Sequence, residues 1–585
     1  MSYKLNTSDA NAQKDPTWKG LVRLVPLLKG EGPKLVISLV AILTSSATAL
    51  IGPVIIAHTV DNYIATHDYN GVLLWSGLLL LVYLVGLVAS YTQSRTMGGV
   101  ARRILFNLRN AIFTKLQELP VAFFNQNRSG DLISRINNDT DKLNQFFAQA
   151  LMQFLGNAVM IVGAAILLLT LNFELGGASL LPAVAVLAVT QMIGGWVKRA
   201  NFKSLQTLGG LSGEIQESLA NFKVIVAFNR LDYFKAKFAE ANAANYAASI
   251  RAGIANNIFI PIYGLAYAFG QLIVLAYGIY LISSGQLTAG LLIGFLLYVN
   301  NFYNPLRQLA SIWSSLQVAL AGLDRISEVL ALQTDMMVVP SAPTGSDAVL
   351  AFENVSFHYP DGANVLKDVS FALERGKTYA LVGPTGGGKT TTASLMARLY
   401  DPSAGRVLLD GKDIRAYEPA ERAEKIGFIL QEPFLFTGTV RDNIVYGNTK
   451  HAQLSAEALS QTLDEAGLSG LLARFEDGLD TKVSSSGDAM SLGQKQLIAF
   501  IRAALRNPEL LILDEATANI DTVTEQLLED ILKRLPATTT RVIIAHRLNT
   551  IDNADAIFFV NGGSVTLAGS MERAVDMLLH GAMQS

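Results

Sequence analysis

At 585 residues the chain is too long for a single core, half of its residues are hydrophobic, and only 16% are charged, against roughly a quarter in an average soluble protein. Its mean hydropathy of +0.33 points to a membrane, while a net charge of -2 supplies no basic field for a nucleic-acid partner. The absence of cysteine excludes disulfides, thiolate chemistry and Cys-ligated zinc, so the totals predict a membrane protein of two or three domains.

Residues 1–15 are polar and lack the basic-then-apolar order of a cleaved signal, which predicts an N-terminus that stays in the cytoplasm. The stretch Pro16–Gly30 mixes Trp18, Leu21, Val22, Leu24 and Leu27 with Lys19, Arg23 and Lys29, as a helix lying in the membrane interface does. Its broken periodicity also fits an unstructured tail. Six apolar stretches follow, near 35–58, 72–94, 147–170, 176–197, 258–283 and 289–311, each long enough for the roughly 20 helical residues that cross a bilayer core. Asn300, Asn301, Asn304 and Pro305 interrupt the last.

The loops between the first and second spans and between the third and fourth carry no Lys or Arg, whereas the other connections carry Arg102, Arg103, Arg109, Lys115, Arg128, Arg135, Lys198, Arg199 and Lys203. The positive-inside rule makes the basic side, and both chain ends, cytoplasmic. Ile104, Leu105, Leu108, Ile112 and Leu116 keep helical spacing beyond the second span. An unbroken helix to Pro120 would run about 48 residues, or roughly 70 Å; a separate surface helix is the other reading. Turns at 123–141 and 221–234 tip the two long connections, and each alone also reads as an ordinary helical hairpin.

The stretch 320–348, with two Pro and several small polar residues, reads as a linker. From Val349 onward β-rich runs alternate with helical ones, as in an α/β domain. KTYALVG followed by GPTGGGKTT reads as a strand, a glycine loop and a helix starting near Lys389. Gly383, Gly386 and Gly388 let the backbone approach an anion, loop N–H groups cradle phosphates, Lys389 reaches the terminal phosphates, and Thr390 offers a hydroxyl to Mg²⁺. The apolar run LLIL ends in Asp514, placed to hold Mg²⁺ through water, with Glu515 beside it to polarise an attacking water. Two acids at a strand end are otherwise often a solvated edge; paired with the glycine loop they indicate phosphate chemistry.

With these residues in place, the chain resembles the ATP-binding cassette (ABC) exporters of the six-span half-transporter type, from about residue 20 to the end. The resemblance implies an α-helical six-span transmembrane domain with long cytoplasmic helices over 1–319, a linker over 320–348, and an α/β P-loop ATPase domain over 349–585. It implies an ATP-binding loop over 383–391, so that Thr385, Gly387 and Thr391 join the residues named above. Gln431 in FILQEPFLF matches a metal and water contact, His546 in IIAHRL the switch histidine at the γ-phosphate, Asp521 in ATANID the D-loop, and Tyr359 in FHYP the aromatic that stacks on adenine. The cofactors implied are ATP and Mg²⁺. Coupling helices are expected at about 123–130 and 217–224, docking on ATPase domains. Two such chains make one transporter, each ATP lying between the P-loop of one and the signature loop of the other.

The signature loop is usually LSGGQ; here it is Met490-Ser491-Leu492-Gly493-Gln494. Leu492 puts a branched side chain where close backbone approach favours glycine, which predicts a weakened partner ATP site. Ser485 stands where the family usually has glutamate in the loop that contacts coupling helices. An intact Glu515 with an altered signature is the pattern of the competent subunit of heterodimeric multidrug exporters, so a second half-transporter subunit is the expected partner; a homodimer is the alternative. The implied function is ATP-driven export of amphipathic small molecules or lipids by alternating access, from a multi-pass position in the plasma (inner) membrane. An exporter-fold importer and an ATP-gated regulatory membrane ATPase are the rival classes. Gln191, Tyr263, Tyr267, Gln271, Asn300, Asn301 and Asn304 could line a substrate cavity or bond helix to helix.

Overall fold

The computed structural model describes residues 3–5, 25–342, 345, 347–360, 362–448, 450–484, 490–514, 522–544 and 554–580. The chain forms two compact units, one of Asn6–Gln117 and Gly130–Ala331, the other of Met1–Leu5, Glu118–Ser129 and Leu332–Ser585.

In the first unit, five helices among the described residues are long and apolar enough to cross a membrane: Gly32–Ile64, Tyr69–Glu118, Ser129–Leu171, Phe173–Ala220 and Leu231–Ser283. Leu74, Leu80, Leu87 and Val88 on the second are each more than 60% exposed, a pattern that suits hydrocarbon rather than water. The expectation of six apolar spans is therefore met by five. The stretch 289–311 opens a 43-residue helix, Ala289–Ala331, but Asn300, Asn301 and Asn304 lower its apolarity. That helix is nonetheless central: Phe295, Tyr298, Val299, Phe302 and Tyr303 are buried in one cluster with Leu168, Leu175 and Val274. It also runs to Ala331, so the first twelve residues of the stretch expected as a linker are helical.

The helix Tyr69–Glu118 is unbroken over 50 residues, about 75 Å at ~1.5 Å per residue. Its buried face, Met97, Val100, Ala101, Ile104, Leu108, Ile112 and Leu116, follows the three-and-four spacing of one helix stripe. Pro120 ends it, because proline cannot donate into the turn before it. The short helix at the first tip is Val121–Gln126, slightly ahead of 123–130. At the second tip it is Phe222–Ala227, later than 217–224, because the preceding helix continues through Ala220 and Asn221 caps it with an N–H bond to the Glu217 carbonyl. Of the segment expected as an interfacial helix, residues 16–24 lie outside the described residues, and Val25–Leu28 form one 3-10 turn.

Arg135 is fully buried and opens a π-helical turn, Arg135–Asp139, a local widening that often marks functional positions. It bonds Asp131 at 2.9 Å, Glu328 at 2.7 Å and the Arg325 carbonyl at 2.6 Å. The Ser129–Leu171 helix is thereby tied to the Ala289–Ala331 helix. Arg135→Ala should destabilise the helical unit by about 3 kcal/mol, because it removes the buried cation that Asp131, Glu328 and the Arg325 carbonyl share. A thermal unfolding midpoint unchanged from the unsubstituted protein would contradict this.

The described residues of the second unit form twelve strands: β1 Ala348–His358, β2 Asn364–Glu374, β3 Thr378–Val382, β4 Ala404–Leu409, β5 Lys412–Asp413, β6 Ile426–Ile429, β7 Gly438–Thr439, β8 Lys482–Val483, β9 Leu510–Asp514, β10 Thr540–Ile544, β11 Ala556–Asn561 and β12 Ser564–Leu567. One sheet has the order β2-β1-β4-β5, a second β12-β11-β3-β10-β9-β6, and β7 pairs with β8. In the second sheet β11, β3, β10, β9 and β6 are parallel, and only β12 is antiparallel. Strand β9 is buried on both faces, as parallel strands covered by helices are. Leu510 and Ile512 join the core shared with the antiparallel sheet, whereas Leu511 and Leu513 join a second core built on the helix Leu492–Ala504.

Candidate nucleotide site

The parallel pairing puts the carboxyl ends of β3, β10 and β9 on one edge of the sheet, where α/β sheets bind ligands. Asp514, the last residue of β9, pairs in register with Ile544 of β10, and Ile544 with Leu381 of β3. The loop 383–388 leaves β3 at this edge and enters the helix Lys389–Met396, which Gly388 begins in a left-handed conformation (φ 113°). A Cβ on Gly383 (φ 147°) would stand 2.1 Å from the Val560 carbonyl oxygen, and one on Gly387 2.5 Å from the same atom. The loop is therefore packed against β11 so closely that neither position admits a side chain.

Lys389 is 5% exposed, and its amine donates to the carbonyls of Gly383 at 2.9 Å and Pro384 at 3.1 Å. The charge is thus held inside the loop, beside exposed Pro384, Thr385 and Gly386. The Thr390 hydroxyl donates to Asp514 Oδ1 at 3.4 Å, and Asp514 is buried. One carboxylate and one hydroxyl are hard oxygen donors. They fit Mg²⁺, which is commonly held by one or two carboxylates together with substrate phosphates, and no cluster of three or more His, Cys, Asp or Glu occurs among the described residues. Gln431 follows β6, the neighbour of β9, and is exposed at the same edge.

Tyr359 shares a hydrogen bond with the Thr391 hydroxyl at 3.0 Å, which brings the expected adenine-stacking ring to the phosphate-loop helix. Its ring also meets Tyr400 edge-on, with centroids 5.3 Å apart, and the Tyr400 hydroxyl accepts from Asn125 Nδ2 at 2.6 Å. Burial raises the Tyr400 pKa above its ordinary value. A short path of contacts therefore runs from the loop through Tyr359 and Tyr400 to the Val121–Gln126 helix. Sequence reasoning missed Tyr400; its only local signal is an aromatic just before the Asp401-Pro402 turn.

The signature residues sit at another helix start. Ser491 caps the helix Leu492–Ala504: its hydroxyl accepts from the Gln494 N–H at 3.2 Å, while Gln494 Oε1 accepts from the Ser491 N–H at 3.0 Å. This is a capping box. Gln494 also donates to the Arg474 carbonyl at 2.9 Å, Leu492 is the first helical residue, and Gly493 is buried. The helix is rooted in the second core, apart from the one under the phosphate loop. The loop, Tyr359, Gln431 and Asp514 thus converge, whereas Ser491–Gln494 belong to a separate element. Ser485, Glu515, Asp521 and His546 lie outside the described residues.

In the helical unit the candidate substrate residues mostly bond to one another. Gln271 and Asn300 both donate to the Tyr267 hydroxyl, at 2.7 and 3.1 Å, Asn304 donates to Asn300 at 3.0 Å, and Asn301 donates to the Ala49 carbonyl at 3.4 Å. Two of these bonds, Asn300 to Tyr267 and Asn301 to the Ala49 carbonyl, join different helices, and the other two run one turn along a single helix.

Comparison with known proteins finds two family models in succession along the chain. Residues 35–306 match the model of the ABC transporter transmembrane region, and residues 366–518 match the ABC transporter model. An uncharacterized ABC transporter ATP-binding protein, YfiC, of Bacillus subtilis (strain 168) is 34% identical over 556 residues, 92% of this chain and 89% of the relative. A fatty acid ABC transporter ATP-binding/permease protein of Mycobacterium bovis is 32% identical, covering 86% of this chain and 79% of the relative. A multidrug resistance ABC transporter ATP-binding and permease protein of Lactococcus lactis subsp. lactis is 28% identical, covering 94% and 93%. The chain belongs to the ABC transporter family, as a half-transporter that fuses a multi-pass membrane domain to an ATPase whose hydrolysis of ATP is coupled to transport.

Proposed function

We propose that this chain is the catalytically competent half of a heterodimeric exporter of amphipathic small molecules or lipids, working by alternating access with both termini in the cytoplasm. The observation that carries the reading is the contrast between a fully built phosphate loop with Asp514 beside it and a signature helix that begins on Leu492. A relative named for fatty acids and another named for multidrug resistance support the substrate class, as does a helical unit with few charges in its apolar spans.

ATP enters with its phosphates on the N–H groups of the loop and the helix start at Lys389, its adenine on Tyr359, and Lys389 against the terminal phosphates. Thr390, Asp514 and Gln431 would hold Mg²⁺, which when bound neutralises charge on the β- and γ-phosphates. Ser491 and the N-terminal end of the Leu492–Ala504 helix face the γ-phosphate of ATP on the partner subunit. For hydrolysis, Glu515 takes a proton from water as its oxygen attacks the γ-phosphorus, His546 contacts the γ-phosphate, and ADP leaves with the electrons of the broken P–O bond.

The second tip supports docking on a partner. Phe222, Val224, Val226 and Phe228 are about half or more exposed there while Ile225 is buried, an apolar surface that needs a cover. Co-purification tests the pairing: this chain should be recovered with a second half-transporter subunit, and only the pair should move substrate. An active transporter containing this chain alone would contradict the heterodimer.

A further inference from the structure

Tyr3 and Leu5 lie in the polar-looking N-terminal stretch, yet each is only 2% exposed, while Lys4 between them is exposed. Such alternation is that of a peptide laid into a groove with every second side chain in a socket. The backbone is read as well. The Tyr3 N–H donates to Gln126 Oε1 at 2.8 Å and the Leu5 N–H to Asn127 Oδ1 at 2.9 Å, and Asn127 Nδ2 donates to the Tyr3 carbonyl at 2.9 Å. Asn127 thus uses both ends of its amide on this one segment. On the other side, the Asp335 N–H donates to the Tyr3 hydroxyl at 3.1 Å. Burial, and then Asp335, push the Tyr3 pKa up to about 12, so the phenol stays neutral across the physiological range.

The positions so joined are the chain's crossing points. The backbone passes between the two units after Leu5, after Gln117, after Ser129 and after Ala331. The Tyr3–Leu5 segment ends at the first crossing, residues 126 and 127 lie just before the third and residue 335 just after the fourth, so three side chains and one backbone segment link these places. Asn125 of the same short helix is held by Tyr400.

We propose that Tyr3 and Leu5 are positioning residues, forming a strap that fixes the 121–127 turn to the linker at Asp335, so that motion of the ATPase unit reaches both membrane connections together. This rests on the reading of Val121–Gln126 as a coupling helix. Side chains at 126 and 127 that bond a distant peptide backbone are otherwise unused by the nucleotide site. A strap made of hydrogen bonds and two sockets is also separable, because Lys4 and its neighbours add no covalent tie to the turn.

The chain has no cysteine, so Val121→Cys, at a position 39% exposed, accepts a single nitroxide in the purified full-length complex. Without nucleotide, Tyr3→Ala combined with Leu5→Asp should make the label visibly more mobile, and Leu5→Met should restore the original spectrum. ATP with Mg²⁺ should change the spectrum of the otherwise unsubstituted chain, and the strap variant should lose that response by about fivefold or more, the size of a typical coupling between sites. Its ATP hydrolysis should stay within about twofold, as for substitutions away from the site. Equal label mobility with and without the strap substitutions overturns the proposal, as does an ATP response that survives them or is missing from the unsubstituted chain. Failure of ATP to be hydrolysed at all would instead indict the nucleotide site, and the nucleotide-free mobility would still decide the strap.

Discussion

Lys389→Ala is expected to lower ATP hydrolysis by this chain at least about a hundredfold, the order lost when one preorganised donor to developing charge is removed. The side chain is buried, and its amine is steered into the loop by the Gly383 and Pro384 carbonyls, so no solvent cation replaces it in the same place. Affinity for ATP should fall too, since the charge opposes that of the terminal phosphates before as well as during reaction. Steady-state hydrolysis and nucleotide binding on the purified complex check both parts. Hydrolysis at the unsubstituted rate would mean that Lys389 does not reach the phosphates.

Gly383→Ala should act through structure and cost about 3 kcal/mol or more, a strained backbone region and a clash combined. At φ 147° a Cβ would lie 2.1 Å from the Val560 carbonyl oxygen, and Val560 sits within β11, paired to β12 and next to β3. The loop cannot retreat without leaving β3, and β11 cannot without breaking its ladder. Chemical denaturation of the ATPase unit, followed by a probe in that unit, should show the loss; a midpoint equal to that of the unsubstituted protein would contradict the packing described here.

Much of this was legible locally. Phosphate binding imposes its demands on consecutive residues, so 383–391 announced itself, although the reason Gly383 and Gly387 must lack side chains is a carbonyl at Val560 about 170 positions away. The Tyr69–Glu118 helix was legible because its buried stripe keeps one period with no proline before Pro120. The sixth apolar stretch is the one not matched by a helix of membrane-spanning apolarity among the described residues, because Asn300, Asn301 and Asn304 interrupt it. Asn300 and Asn301 are tolerated in Ala289–Ala331 because Tyr267 and the Ala49 carbonyl receive them.

What stayed hidden depends on partners remote in sequence. Arg135 reads as a solvated cytoplasmic charge, yet Glu328 and the Arg325 carbonyl bury it. Tyr3 and Leu5 lie in a stretch that reads only as polar, yet residues 126, 127 and 335 bond to it. The second tip was set too early because Glu217–Ala220 keep helical character and only the Asn221 cap marks the end.

The central claim is that this chain supplies the hydrolysing site of an unequal pair, and Glu515→Gln in the purified complex tests it most directly. Removing a general base is expected to slow hydrolysis by about 10²–10⁴-fold while leaving the ATP contacts of Lys389, Thr390 and Tyr359 in place. The complex should therefore retain uncleaved ATP in a closed state, and ATP-dependent dye accumulation in inside-out vesicles should stop. Hydrolysis by the Glu515→Gln complex at the unsubstituted rate would contradict the assignment of the catalytic acid, and with it the account of two unequal sites.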